Sequence, residues 1–115
     1  MVITETLRII SEGKFFSKNI TDDVRRIVEK SNINNGNVLV FYRHTTGAII
    51  IVEHEIGFLV DFENVLESLV PGNGNYFHHR RGYDSNGAAH IRTAMLNISQ
   101  QIPVVEGDLG LGKYQ

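Results

Sequence analysis

The chain has 115 residues, 42% of them apolar and 21% charged, values that suit one globular domain and argue against wholesale disorder. There is no cysteine, which removes thiolate metal sites, cysteine nucleophiles and disulfides. With a net charge of −2 and no long basic run, no nucleic-acid partner is expected. The longest purely apolar run, Gly47 to Val52, falls far short of the roughly 20 residues a membrane helix needs, so no membrane partner is expected either. The N-terminus lacks a basic segment followed by an apolar one, so the expected location is cytoplasmic.

In chain order, Val2 to Ile10 reads as a first strand, because Ile3, Leu7 and Ile9 recur on a period near two. Thr21 or Asp22 can cap a helix running to about Lys30, with Ile20, Val24, Ile27 and Val28 on its buried stripe. Asp22 and Asp23 sit at the positive end of its dipole. Asn34-Asn35-Gly36 signals a turn. Val38 to Tyr42 and Ala48 to Val52 then read as two strands, and their near-continuous hydrophobicity suggests burial on both faces. Phe58 to Val70 has a helical stripe of Leu59, Phe62, Leu66 and Leu69, stopped by Pro71-Gly72.

Gly72 to Gly87 is a polar loop of a length uncommon in compact domains unless it carries function. Ala88 to Ile98 shows helical spacing at Ile91, Met95 and Ile98. Ile102 to Val105 and Leu109 to Tyr114 read as a hairpin around Glu106-Gly107-Asp108. No linker or repeat interrupts the sequence, so residues 1–115 form one domain in this reading. Helices and strands do not alternate regularly. The expected class is α+β, a mixed and mainly antiparallel sheet packed with about three helices.

The histidines carry the functional signal. None precedes position 44, and five appear by position 90. His44 follows a strand, His78 and His79 lie in the long loop, and His90 begins a helix. Neutral imidazole is a common metal donor, and three such donors would leave a position open for water or substrate. The expected metal ligands are therefore His44, His78 and His90, and the expected cofactor a divalent metal, zinc or magnesium. Their spacing matches no compact zinc motif, and a set of loop histidines with no shared partner is the plainer alternative.

Glu53, at the end of an apolar strand, is either a general base or ligand, or the strand's exit into solvent. Arg92, near a helix N-terminus, is the better anion-site candidate, while Arg80 and Arg81 read as solvated loop charge. His44, Glu53 and Arg92 are the candidate catalytic residues. Gly72-Asn-Gly-Asn lacks the Lys-Ser/Thr that should follow in a phosphate loop, and Leu109-Gly-Leu-Gly reads as hairpin geometry.

Several ordered blocks resemble one family. They are His44-Thr45-Thr46-Gly47-Ala48, Ile51-Val52-Glu53, Tyr76-Phe77-His78, Asp84 to His90-Ile91-Arg92, Ile102-Pro103-Val104, Gly107-Asp108-Leu109 and Leu111-Gly112-Lys113-Tyr114-Gln115. Together they resemble the YjbQ family, also called secondary thiamine-phosphate synthase enzymes. The resemblance implies an α+β sandwich-like fold and a homotrimer. It also implies that His44, His78 and His90 are the characteristic histidines and Glu53 the strand-end glutamate.

A weak thiamine-phosphate synthase activity is attributed to some members, joining a pyrimidine-methyl diphosphate to a thiazole phosphate with loss of pyrophosphate. Two function classes stay open: an enzyme acting on a small phosphorylated ligand, and a non-catalytic binding module. The chain departs from the family pattern at Tyr114, where members carry Trp. It also stops at Gln115, where they continue into a further strand.

Overall fold

The computed structural model describes residues 1–82 and 84–115. Its elements in order are α1 (Thr21–Ser31), β1 (Gly36–Phe41), α2 (Ile56–Leu69), a 3-10 helix (Phe77–Arg81), α3 (Gly87–Leu96), β2 (Ser99–Val105) and β3 (Asp108–Leu109). The strands form one sheet in the order β1-β2-β3. Three helices and a small antiparallel sheet make the chain α+β, as its patterning requires. The described chain divides into two compact units. One contains Met1–Val38 with Gln101–Lys113, the other Leu39–Gln100 with Tyr114–Gln115.

In the first unit, α1 starts one residue before the expected cap could act. Asn19 Oδ1 accepts from the Thr21 N–H at 3.0 Å and from its hydroxyl at 2.6 Å. Thr21 is thus the first helical residue, and Asn19 satisfies an orphan donor. Val24 and Val28 bury the stripe, while Ile20 and Ile27 are half-buried. Asn32, left-handed at φ 58°, ends the helix.

Ile102, Val104 and Leu109 complete this small core. The β2–β3 hairpin pairs Val105 with Asp108 and Val104 with Leu109. Glu106 and Gly107 both have positive φ, 51° and 83°, which is the two-residue turn whose twist suits a hairpin. Asp108 therefore belongs to the strand rather than to the turn.

Arg25 fastens α1 to that strand, its Nε donating to Asp108 Oδ1 at 2.9 Å. The bond raises the Arg25 pKa and, with the Leu109 N–H, holds the Asp108 carboxyl below its usual range. In the second unit Glu67 is lowered likewise, first by the Gly72 N–H and then by Arg92. Both folded values lie below the unfolded ones, so the stabilisation is present above the ordinary carboxylate pKa and lost as pH falls through the folded values. The urea midpoint should therefore drop as pH goes from about 5 to about 3. Asp108→Asn and Glu67→Gln should each flatten that drop. An equal slope in the double variant would contradict the assignment.

Four strand expectations need correction. Val2 to Ile10 forms no strand, because its backbone finds no ladder partner among the described residues; Ile10 is 87% exposed. Ala48 to Val52 is not a regular strand either. Its contacts are isolated ones, the Ile49 N–H to the Asn97 carbonyl at 3.1 Å and Gln100 Nε2 to the Ile49 carbonyl at 3.1 Å. β1 is not buried on both faces, since Leu39 and Phe41 are more than half exposed. The strand expected to reach Tyr114 ends at Leu109.

The second unit holds the elements that build the candidate site. α2 begins at Ile56 because the Glu55 carboxylate accepts from the N–H groups of Gly57 and Phe58. Leu66 and Val70 are its buried contacts, whereas Leu69, expected on the same stripe, is 63% exposed. In α3 the expected Ile91 and Met95 stripe faces outward. Gly87, Ala88 and Thr93 are the buried positions. Small residues on the inner face let α3 lie close to the loop before it.

Candidate functional site

The expected loop from Gly72 to Gly87 is ordered by a few specific bonds; within it, Tyr83 lies outside the described residues. Tyr76 Oη donates to the Pro71 carbonyl at 2.6 Å, closing the first half. Phe77–Arg81 then makes a 3-10 helix, ended by Gly82 at φ 76°. With three residues per turn, side chains three apart share a face. Phe77 and Arg80 share one, the guanidinium carbon 4.1 Å from the ring centroid, and Phe77 is exposed. His78 and His79 occupy the other faces and turn toward α3.

His79 joins the loop to the helix. Its Nε2 accepts the Gly87 N–H at 2.9 Å, which requires a neutral ring protonated on Nδ1. The Tyr76 ring meets it edge-on at 5.5 Å. Gly87 is needed here, since a Cβ would lie 2.9 Å from both His79 Nε2 and Tyr76 Cβ.

His78 reaches the first turn of α3 and lies against His90, with ring centroids 4.4 Å apart and planes tilted by 52°. Its Nε2 is 3.3 Å from Asp84 Oδ1. That contact is not aligned as a hydrogen bond, and His78 Nε2 is a buried nitrogen without a hydrogen-bond partner. Asn86 Oδ1, just before α3, is a second buried atom in the same condition. Buried polar atoms without partners are few in folded proteins, and each calls for an explanation such as a water, an ion or a ligand.

The other candidates lie differently. His44 is exposed beyond the end of β1, its ring 5.1 Å from that of Tyr42. Glu53 is exposed in the irregular segment before α2. Arg92 is a clamp between helices: Nε and Nη2 donate to the Val70 carbonyl at 3.0 and 2.6 Å, and Nη2 also to Glu67 at 2.9 Å. Those bonds satisfy the carbonyl at the end of α2. The chain thus brings His78 and His90 together. Among the described residues, no three His, Asp or Glu side chains are placed to hold a metal ion.

Sequence reading assigned no role to Asp84, Asn86, Gly87 or His79. The doubled histidine and the Asn-Gly pair before a helix were the available signals. Neither reveals that one histidine serves the backbone while its neighbour faces His90.

Comparison with known proteins agrees with this architecture. A UPF0047 protein of Methanothermobacter thermautotrophicus is 38% identical over 114 residues, covering 99% of this chain and 78% of the relative. Another from Archaeoglobus fulgidus is 44% identical over 96 residues, covering 84% and 72%. Among solved structures, a YbjQ-like protein of unknown function from Sulfolobus solfataricus superposes with a TM-score of 0.84 at 36% identity, covering 92% of this chain and 76% of that one. An uncharacterised YjbQ/UPF0047 protein from Clostridium acetobutylicum gives 0.78 at 33% identity, covering 85% and 74%. Residues 5–115 match the family described as UPF0047 protein YjbQ-like, and the chain belongs to that family.

Proposed function

We propose that this protein binds a divalent cation at the His78–His90 pair and, through it, a small phosphorylated ligand. One observation carries the reading: two imidazoles in contact, with His78 Nε2 buried and without a hydrogen-bond partner. Leaving a buried donor or acceptor unsatisfied costs about 1–3 kcal/mol, a penalty that an ion with its bound water or ligand removes. Zinc suits imidazole nitrogen better than magnesium, which prefers oxygen and keeps its waters. A position left open on the ion would take a phosphate oxygen and lower its charge.

Arg92 enters this reading as a positioning residue, because its donors hold α2 against α3. His44 and Glu53 are exposed, and in this proposal a neighbouring copy presents them to the bound ligand. The assembly proposed is a homotrimer. Leu39 and Phe41 on β1 and Val65 and Leu69 on α2 are all more than half exposed, and apolar surface of that kind favours association. Light scattering after size exclusion should return three chain masses; a monomer mass would defeat that part.

Calorimetric titration of inorganic phosphate into zinc-loaded and metal-free protein tests the ligand reading. Saturable binding that needs zinc supports it. Equal affinity without zinc, or no binding at all, would overturn it. The same preparation assayed for thiamine-phosphate formation separates binding from turnover.

A further inference from the structure

We propose that Asn35 is a site of spontaneous covalent modification, losing its side-chain amide to give aspartate and isoaspartate at the entry to β1. This is independent of the cation reading. The chemistry favours an asparagine followed by glycine, whose missing Cβ lets the next backbone nitrogen approach the side-chain carbonyl carbon. The chain has three such pairs, Asn35-Gly36, Asn73-Gly74 and Asn86-Gly87. Their local structures separate them.

In two of the pairs the nitrogen is turned away. The Gly74 N–H donates to the Pro71 carbonyl at 3.1 Å, so Asn73 is the third residue of a β-turn, where ψ lies at about 0°. Asn86 has φ −102° and ψ 23°. At such ψ values the following nitrogen stands across the Cα–C bond from Cβ, out of reach of the side chain. The Gly87 N–H is also held by His79 Nε2 at 2.9 Å.

Asn35 lies instead in the bend between α1 and β1, with its side chain exposed. Beyond its chain neighbours, and among the described residues, the one heavy atom within 4 Å of a Cβ placed on Gly36 is Ile33 Cγ2 at 3.4 Å. Little crowds the attacking nitrogen. The carbonyl is prepared as well, because Asn35 Oδ1 accepts the Glu106 N–H at 3.3 Å. A donor on that oxygen makes Cγ more electrophilic and stabilises the oxyanion formed on attack.

The Gly36 nitrogen gives its proton to solvent base and forms a bond to Asn35 Cγ. Collapse of the adduct breaks the Cγ–Nδ2 bond and expels ammonia, leaving a cyclic imide. Water then adds to either ring carbonyl and opens the ring to one amide and one carboxylate, with no change of oxidation state. Opening at the main-chain carbonyl gives isoaspartate, which lengthens the backbone by one methylene. That insertion falls where the hairpin turn is clipped to this bend, by the Gly107 N–H to the Asn34 carbonyl at 2.8 Å and by Glu106 to Asn35. Conversion therefore weakens the clip and adds a negative charge beside Glu106.

Ageing the full chain in mildly alkaline heavy-oxygen water, then mass spectrometry of its tryptic peptides, tests the proposal. The Ser31–Arg43 peptide should gain heavy oxygen several-fold faster than the peptides carrying Asn73 and Asn86, with fragmentation placing the label at residue 35. In urea the three rates should converge, since the folded backbone sets their order. Gly36→Ala should slow conversion at residue 35 several-fold. The converted protein should unfold at lower urea than the fresh chain.

An unlabelled Asn35 in the native chain, or labelling no faster than at Asn73 and Asn86, would overturn the proposal. The same order of rates in urea would show that the fold does not select Asn35 and would overturn it equally. An unchanged urea midpoint after conversion would overturn the effect on the hairpin clip.

Discussion

Replacing His90 with alanine should abolish zinc binding and change stability by under about 1 kcal/mol. His90 stands in the first turn of α3, half-buried, and its ring touches His78. Alanine is the best helix former, so the helix loses nothing intrinsic. The buried positions of α3 are Gly87, Ala88 and Thr93, and the clamp from Arg92 to Val70 is untouched. A histidine whose role was structural would behave otherwise, since the partners it left buried would cost about 1–3 kcal/mol. Calorimetry with zinc and a urea melt of the same sample distinguish the two. Retained zinc binding, or a large stability loss, would count against the site.

Gly87→Ala tests the same junction with the opposite expectation from helix propensity. In an exposed helix interior, alanine should gain about 1 kcal/mol over glycine. Here the added Cβ would stand 2.9 Å from His79 Nε2 and from Tyr76 Cβ. Both are too near, and the second is fixed close to the backbone. Forcing in an extra carbon typically costs about 1–3 kcal/mol, and displacing His79 also breaks the bond from the Gly87 N–H. The variant should be destabilised by about 1–2 kcal/mol and bind zinc more weakly, because His78 moves with the loop. A more stable protein with wild-type zinc affinity would show that the loop yields freely and that Gly87 does not set the site.

Much of the fold is legible from local patterning where the partner surface is close in sequence. α1 emerges within one residue because Val24 and Val28 repeat at helical spacing and two aspartates start the helix. The hairpin is legible in its turn, where Gly107 takes a positive φ without strain. The misread segments are those whose state depends on a distant partner. Val2 to Ile10 alternates as a strand should, yet alternation gives no ladder without an edge to bond. Ile91 and Met95 keep helical spacing but face outward, because close approach of the loop favours the small Ala88 face instead.

The site divides the same way. His78 and His90 stand out as residues, and the eleven positions between them hide that their rings meet. His79 and His78 look equivalent in sequence. The three-residue turn of the 3-10 helix sends one to a backbone N–H and the other to His90.

Anomalous diffraction at the zinc edge, from crystals of the full chain grown with zinc, is the most direct test of the cation site. A single strong peak should lie about 2.0–2.1 Å from His78 Nε2 and from a nitrogen of His90. Zinc found only at exposed side chains elsewhere, with His78 and His90 unliganded, would contradict the account.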